Sequence, residues 1–436
     1  MRYKVLKKHD CFIYFLLGNA MNKNNFFIYL VGILLLTTIY STTAPAQSTT
    51  QADTPASTDT ECLFNWAQTF YPQLFSPAVT GLQLSSPYIY RYYATTNAYL
   101  GVSTTDNHVY YLPANQAIPM DMGEFSFFLK EAGCGAKPYP VIFIHGLASS
   151  SDTWIAYRDY LIAHAGWIYG GIPAYDPATK AVNFTCPPNS AQCTGNNGNF
   201  YTLNFSNNQG LSLDLQGGEL ATIIQAVLSA NPGASKVLLI GHSSGGLAAR
   251  AYLQGLARTP DVTTPFSYRD DVIKLITIGT PHQGSFWAEA CHTRFDLFNL
   301  IDDVGICDLL APDIDNDSAA IQDLQPNSTA LAALNDLNTH PLPANVSYVS
   351  ILGTGQPTLS SLVDFDSGDG IVTESSQNLS TLIGSLPLQQ KSVAIEVPFR
   401  ECGNEIRLPL IDDIGQAHTC ETSDVNIGAE ILRNLQ

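Results

Sequence analysis

KVLLIGHSSGGLAARAYL, residues 236–253, holds three signals in order: a continuous apolar run, a Gly-x-Ser-x-Gly and an Ala/Leu-rich stretch. Val237 to Ile240 carry no polar alternation, so the run reads as a strand buried on both faces. Gly246 to Ala257 reads as a helix. Between them stands Gly241-His242-Ser243-Ser244-Gly245. Alone, such a pentapeptide is weak evidence. Between a buried strand and a helix it has the context of a sharp turn that lifts the Ser243 hydroxyl above a sheet edge.

Outward from this stretch the same alternation repeats. PVIFIHG (140–146), VIKLITIG (272–279), VSYVSILG (346–353) and SVAIEV (392–397) are further apolar strand runs. Residues 218–230 form an amphipathic helical pattern stopped by Asn231-Pro232-Gly233. Apolar strands separated by helices imply an α/β fold, a doubly wound, mainly parallel sheet covered on both faces.

A serine hydroxyl needs a base to become a useful nucleophile. Behind a strand–turn–helix serine, the acid and then the histidine follow in chain order. Four histidines lie beyond Ser243: His282, His292, His340 and His418. Only His418, in GQAHTCET before a final helix at 424–432, leaves room for an acid on a late strand, so it is the expected base. Asp369, in DSGDGIVTESS, is the expected acid, with Asp364, Asp366 and Glu374 as competitors. An Asp between glycines is also a common turn former. The expected oxyanion donors are the N–H of Ser244 and the N–H of Leu147 in the loop after the 140–146 strand. His145 precedes the nucleophile and His242 lies within the turn, and both read as scaffold.

PVIFIHGLASSSDTW, IGHSSGGLAARAYL, ITIGTPHQGS, QPNSTALAALN and DGIVTESSQ together resemble the α/β-hydrolase superfamily, in its branch of secreted bacterial lipases, carboxylesterases and related lipid deacylases. The resemblance covers most of 140–436. It implies an α/β-hydrolase fold, a helical cap insertion at 283–342 and a serine hydrolase that cleaves acyl esters through an acyl-enzyme. It implies an ester or lipid substrate and no cofactor. Amidase, polyesterase or acyltransferase chemistry uses the same three residues, and a non-catalytic binding or adhesion role on the same scaffold is the rival of another class. Some secreted lipases place a calcium-binding aspartate two residues after the histidine. Cys420 stands there in this sequence, so no metal is expected. Within the insertion, Phe295, Leu297, Phe298, Leu300 and Ile301 recur at roughly helical spacing.

The N-terminal third reads differently. Residues 26–40 form an apolar run behind Met21 and Lys23, followed by Ala44-Pro45-Ala46, the pattern of an export signal over 1–46, with Met21 an alternative start. The run is short for a membrane span, so none is expected after processing. Residues 47–60 read as a solvated linker and 61–135 as a small aromatic-rich α+β module, ahead of a catalytic domain at 139–436. CLFNWAQTFYPQLFSP and RYYATTNAYLGVS in that module resemble a small unit appended to many exported bacterial proteins, for which no chemistry is implied. Tyr88 to Tyr93 alternate as a strand, residues 98–102 and 108–112 read as two more, and 123–132 as a helix.

Of 436 residues, 45% are apolar and 13% charged, which suits a full core. The net charge is −18, or −22 without residues 1–46 (15 basic against 37 acidic), so nucleic acid is not an expected partner. Nine cysteines become eight when Cys11 leaves. An even set in an exported chain suggests disulfides, expected between neighbours: Cys62–Cys134, Cys186–Cys193, Cys291–Cys307 and Cys402–Cys420. A secreted or periplasmic location follows from the same signals, whereas the oligomeric state has no signature in the sequence.

Overall fold

The structure is a computed structural model. It describes residues 57–435 apart from 77, 115, 133, 135–138, 164, 189–191, 262–263, 293, 298–300, 306–313, 362–363, 384–391 and 399–415. The expected export signal and most of the linker lie outside the described residues.

The described residues form two units, one of 57–60 with 67–125 and one of 61–66 with 126–435. The smaller contains a five-stranded antiparallel meander, β1 (Gln83–Ser85), β2 (Tyr88–Tyr93), β3 (Ala98–Ser103), β4 (His108–Pro113) and β5 (Met120–Glu124). Alternation on β2 sends Arg91 and Tyr93 inward and leaves Tyr88, Tyr90 and Tyr92 half-buried. Phe75 packs edge-on against Tyr93 with ring centroids 5.2 Å apart. The helical pattern around Trp66 forms two helices, Ser57–Phe70 and Pro72–Phe75. The later helix is Phe125–Glu131, because Gly123 and Glu124 belong to β5.

The larger unit is built on a six-stranded sheet. Its strands are β6 (Val141–Ile144), β9 (Phe200–Thr202), β10 (Val237–His242), β11 (Val272–Ile278), β14 (Ser347–Thr354) and β17 (Ser392–Pro398). Their order is β17-β14-β11-β10-β6-β9, and every pairing is parallel. All residues of β6 and β10 are buried, which explains their unbroken apolar sequence. Helix Leu213–Ala230 lies against helix Ser244–Leu253, with Gly217 opposite Ala248 and Ala251 at the crossing. Their apolar faces join Leu239, Ile224 and Tyr252 in one core cluster.

Three antiparallel hairpins decorate the sheet: β7 (Ile172–Asp176) with β8 (Ala181–Thr185), β12 (Arg294–Leu297) with β13 (Ile301–Gly305), and β15 (Gln356–Leu359) with β16 (Phe365–Gly368). The 283–342 insertion carries helices Phe286–His292, Ala319–Leu324 and Thr329–Asn335 beside the β12–β13 ribbon. Phe295 and Leu297 pair with Val304 and Ile301 across that ribbon. The apolar spacing that suggested a helix there also satisfies a period of two, and strand pairing wins.

Disulfides join Cys62 to Cys134 and Cys186 to Cys193, as the neighbour rule expects. Cys291 and Cys420 are also disulfide-bonded, and their expected partners Cys307 and Cys402 lie outside the described residues. Among the described residues no helix is long and apolar enough to cross a membrane.

Candidate active site

Ser243 sits between β10 and the following helix with φ 52° and ψ −130°. A serine at positive φ is strained by roughly 1–3 kcal/mol, and the surroundings must hold it there. Its N–H donates to the Ile278 carbonyl of β11 at 2.9 Å, and its own carbonyl accepts from Gly246 N–H at 3.1 Å. Two glycines make the turn possible by close approach. A Cβ on Gly241 would lie 2.6 Å from Gly246 Cα, and one on Gly245 would lie 2.6 Å from the His145 carbonyl oxygen.

The loop after β6 lines the other side of the serine. A Cβ on Gly146 would stand 3.3 Å from Ser243 Oγ, so the next residue, Leu147, begins beside the nucleophile. Asn208, which the sequence gave no reason to select, pins this loop. Its Nδ2 donates to the carbonyls of Gly146 at 2.7 Å and Ser149 at 3.0 Å. Among the described residues, the N–H groups of Leu147 and Ser244 have no hydrogen-bond acceptor.

Asp369 follows the β15–β16 hairpin and is fully buried. Its Oδ1 accepts from Ile371 N–H at 2.9 Å and Val372 N–H at 2.7 Å, the bonds of a turn former. Its Oδ2 accepts from His418 Nδ1 at 2.8 Å. One oxygen thus closes the turn and the other holds the histidine. Of the competing acids, Asp364 and Asp366 are exposed, and Glu374 is bonded to Ser367.

His418 is 6% exposed and lies in a short helix, Gln416–Cys420, where the sequence suggested a loop. A Cβ on Gly279, the residue after Ile278, would lie 3.0 Å from His418 Cε1. The His418 ring thus borders the residue that follows Ile278, whose carbonyl binds the Ser243 backbone. Among the described residues no hydrogen bond reaches Nε2. With Nδ1–H committed to Asp369, Nε2 is the atom left to accept a proton.

Three other histidines, His242, His145 and His282, are buried and bonded within the fold. His242 stacks on His418 with ring centroids 4.7 Å apart, and its Nε2 donates to the His418 carbonyl at 3.0 Å. Burial holds its pKa well below the ordinary value, so it stays neutral. Burial also lowers His145 to about 4, and its Nδ1 bonds Gly146 O at 2.9 Å. His282 is buried against Arg250 and Thr277.

One further residue belongs here. Glu421, buried and one turn beyond His418, places Oε2 3.7 Å from His418 Nδ1 and 3.2 Å from His242 Nε2. Its i,i+3 spacing from His418 was the only sequence signal. Asp424 has a similar claim, yet it caps the last helix through Asn426 and Ile427 N–H. Donor atoms of His242, His418 and Glu421 lie within 4.8 Å of one another. A cation there would compete for ring nitrogens already bonded to the His418 carbonyl and to Asp369.

A parallel sheet bearing a strained serine turn, with a buried Asp–His pair at the same strand ends, defines an α/β-hydrolase fold. Residues 136–382 match the family described as the PGAP1-like alpha/beta domain, more than half of the chain, and the chain belongs to that family. Two triacylglycerol lipases are also similar. The Pseudarthrobacter phenanthrenivorans protein is 31% identical over 160 residues, which is 35% of this chain and 36% of the lipase. The Burkholderia plantarii protein is 31% identical over 160 residues, 35% of this chain and 32% of the lipase. The chain thus spans about a third of the length of these relatives. Among solved structures, the mature form of Bacillus licheniformis lipase BlEst2 is similar at 18% identity and a TM-score of 0.36, covering 61% of this chain and 85% of that one.

Proposed function

We propose that the chain is an exported serine hydrolase of carboxylic esters with acyl-lipid-like substrates. The observation that carries the reading is the buried His418 Nδ1–Asp369 Oδ2 bond of 2.8 Å, which leaves Nε2 without a hydrogen-bond partner in a fold that also holds the strained Ser243 turn. In this reading Ser243 Oγ attacks the ester carbonyl. His418 Nε2 takes the proton and returns it to the leaving alcohol. Asp369 keeps the imidazole in the Nδ1–H tautomer and stabilises the imidazolium. The N–H groups of Leu147 and Ser244 receive the oxyanion, each worth about 10²–10³ in rate. Water then cleaves the acyl-enzyme, with no cofactor required.

The acyl preference has its own support. Leu147 and Ile371, which flank the two ends of the site, pack against a cluster that includes Trp287, Ile321 and Leu331 of the 283–342 insertion. An apolar wall of this kind suits an acyl chain. The names of the similar lipases point the same way. Export is supported by the disulfides, which persist in oxidising compartments. The reading takes 1–46 as the signal, 61–135 as an appended module and 139–436 as the catalytic domain, with 283–342 as its cap.

A chain-length series of p-nitrophenyl esters with an emulsified triglyceride, assayed on wild type and Ser243→Ala, tests the proposal. Expected is turnover in the wild type that rises with acyl length and is abolished in the folded variant. Unchanged turnover in Ser243→Ala would remove the serine from the mechanism. Preference for amides would retain the triad and discard the ester assignment.

A further inference from the structure

We propose that Glu421 works in this site as a neutral carboxylic acid, a positioning residue whose O–H donates to the Asp369 carboxylate and holds the Asp369–His418 pair in one geometry. The inference rests on the triad reading of the same site and adds to it a group that the hydrolysis scheme leaves unused.

The fold makes a slot for this carboxyl. Gly279 at the end of β11 and Gly353 in β14 both lie against it. A methyl on Gly279 would overlap Oε2, and a methyl on Gly353 would overlap Oε1. Two neighbouring strands thus lack a side chain at the level where Glu421 enters. The slot opens onto Asp369, whose Cβ would lie 2.9 Å from the same methyl on Gly353. The two carboxyl groups thus border the same position on β14, and the Asp369 charge acts on Glu421. That proximity is attractive only if one of them carries a proton.

The surrounding bonds decide which one. Asp369 accepts from Ile371 N–H, Val372 N–H and His418 Nδ1, and all three bonds favour a carboxylate. Among the described residues neither oxygen of Glu421 accepts a hydrogen bond. His242 Nε2 is 3.2 Å from Oε2, but its N–H serves the His418 carbonyl. Among the described residues, the titratable and charged groups facing Glu421 are Asp369 from the hairpin turn, His242 from β10, and His418 and Asp424 from its own segment. From helix Ile155–Ala163, the Tyr157 hydroxyl donates to the Glu421 main-chain carbonyl at 2.7 Å. Both neighbouring carboxylates oppose a charge on Glu421, and His242 is held neutral. Burial and the Asp369 charge push the Glu421 acid well above the usual carboxylate range. The proton therefore resides on Glu421, and its O–H points at the group that orients the catalytic imidazole.

The test compares pH profiles of kcat and KM for the full chain, Glu421→Ala and Glu421→Gln. Glu421→Ala removes the donor and is expected to lower kcat about 10- to 100-fold with KM little changed, the span that loss of a charge-assisted hydrogen bond gives. Glu421→Gln keeps an N–H donor and is expected to restore kcat to within about tenfold of wild type. It also has no proton to lose, so its activity should persist at alkaline pH, where the wild type declines. An infrared spectrum supplies a readout besides activity. The wild type should show a protonated-carboxyl stretch at neutral pH that Glu421→Gln lacks, whether or not Glu421→Ala folds. Equal loss in folded Gln and Ala variants, or no such band in the wild type, would overturn the proposal. Ser243→Ala run in parallel separates the two readings: activity there would sink the triad, whereas an inactive Ser243→Ala beside a crippled Glu421→Gln would sink only the role given to Glu421.

Discussion

Asp369 divides its two oxygens between a backbone turn and an imidazole. Its Oδ1 closes the turn after β16 and its Oδ2 holds His418. Replacing it with Asn keeps the size and weakens the preference for the Nδ1–H tautomer. Asp369→Asn is expected to lower kcat about 10³–10⁴-fold with a near-native circular dichroism spectrum. A loss below tenfold would shift the orienting role to another acid. Chain order pointed to His418 among the histidines and left Asp369 beside Asp364, Asp366 and Glu374, because order constrains a serine placed between a strand and a helix without fixing which acid follows it. Glu421 was not legible in the same way. Nothing in ETSD distinguishes an acid that enters a slot between two strands from one that caps a helix, and only the fold brings Gly279 and Gly353 to its carboxyl.

At the level of elements, fully buried strands were the most legible. β6 and β10 are wholly buried and β11 and β14 mostly so, and the sequence boundaries fall within one or two residues of those observed. β1 escaped notice because all three of its residues are exposed, so no hydrophobic pattern marks it. The β12–β13 ribbon escaped because a short apolar stretch fits both helical and strand periods. The serine turn itself is held by close backbone approach, which gives a direct prediction. Gly245→Ala places a methyl against the carbonyls of Ile144 and His145, at built distances of 2.8 and 2.6 Å. Neither carbonyl can rotate away as a side chain could. The variant is expected to lose about 1–3 kcal/mol of stability in urea titration and most of its ester turnover. Native stability with full turnover would show that the turn can open without cost.

For the whole molecule, buried imidazoles set the acid limit of stability. His145 falls from its ordinary value to about 4, and His242 and His282 are also lowered by burial. Below pH 6.5 the unfolded chain binds protons that the folded chain refuses, so stability falls as pH drops through the window between those values. His145 alone would withdraw about 2 kcal/mol by pH 5. Glu421 acts in the opposite sense, since its folded form keeps a proton that the unfolded chain releases above about pH 4.5. The urea midpoint should therefore drop between pH 7 and pH 5, and His145→Gln should lessen that drop. An identical drop in the variant would place the acid sensitivity elsewhere. The Cys62–Cys134 bond spans 72 residues, and the chain-entropy account assigns a loop of that length about 4 kcal/mol. Differential scanning calorimetry of a Cys62→Ala, Cys134→Ala double variant should show a clear fall in Tm, and an unchanged Tm would contradict that contribution.

The most direct test of the central claim is covalent. A fluorophosphonate that mimics an acyl ester should form one adduct, found by peptide mass spectrometry on Ser243, with complete loss of turnover. The same adduct should form far more slowly in His418→Ala. Stoichiometric labelling of another residue, or persistent ester turnover in a fully labelled protein, would contradict the account.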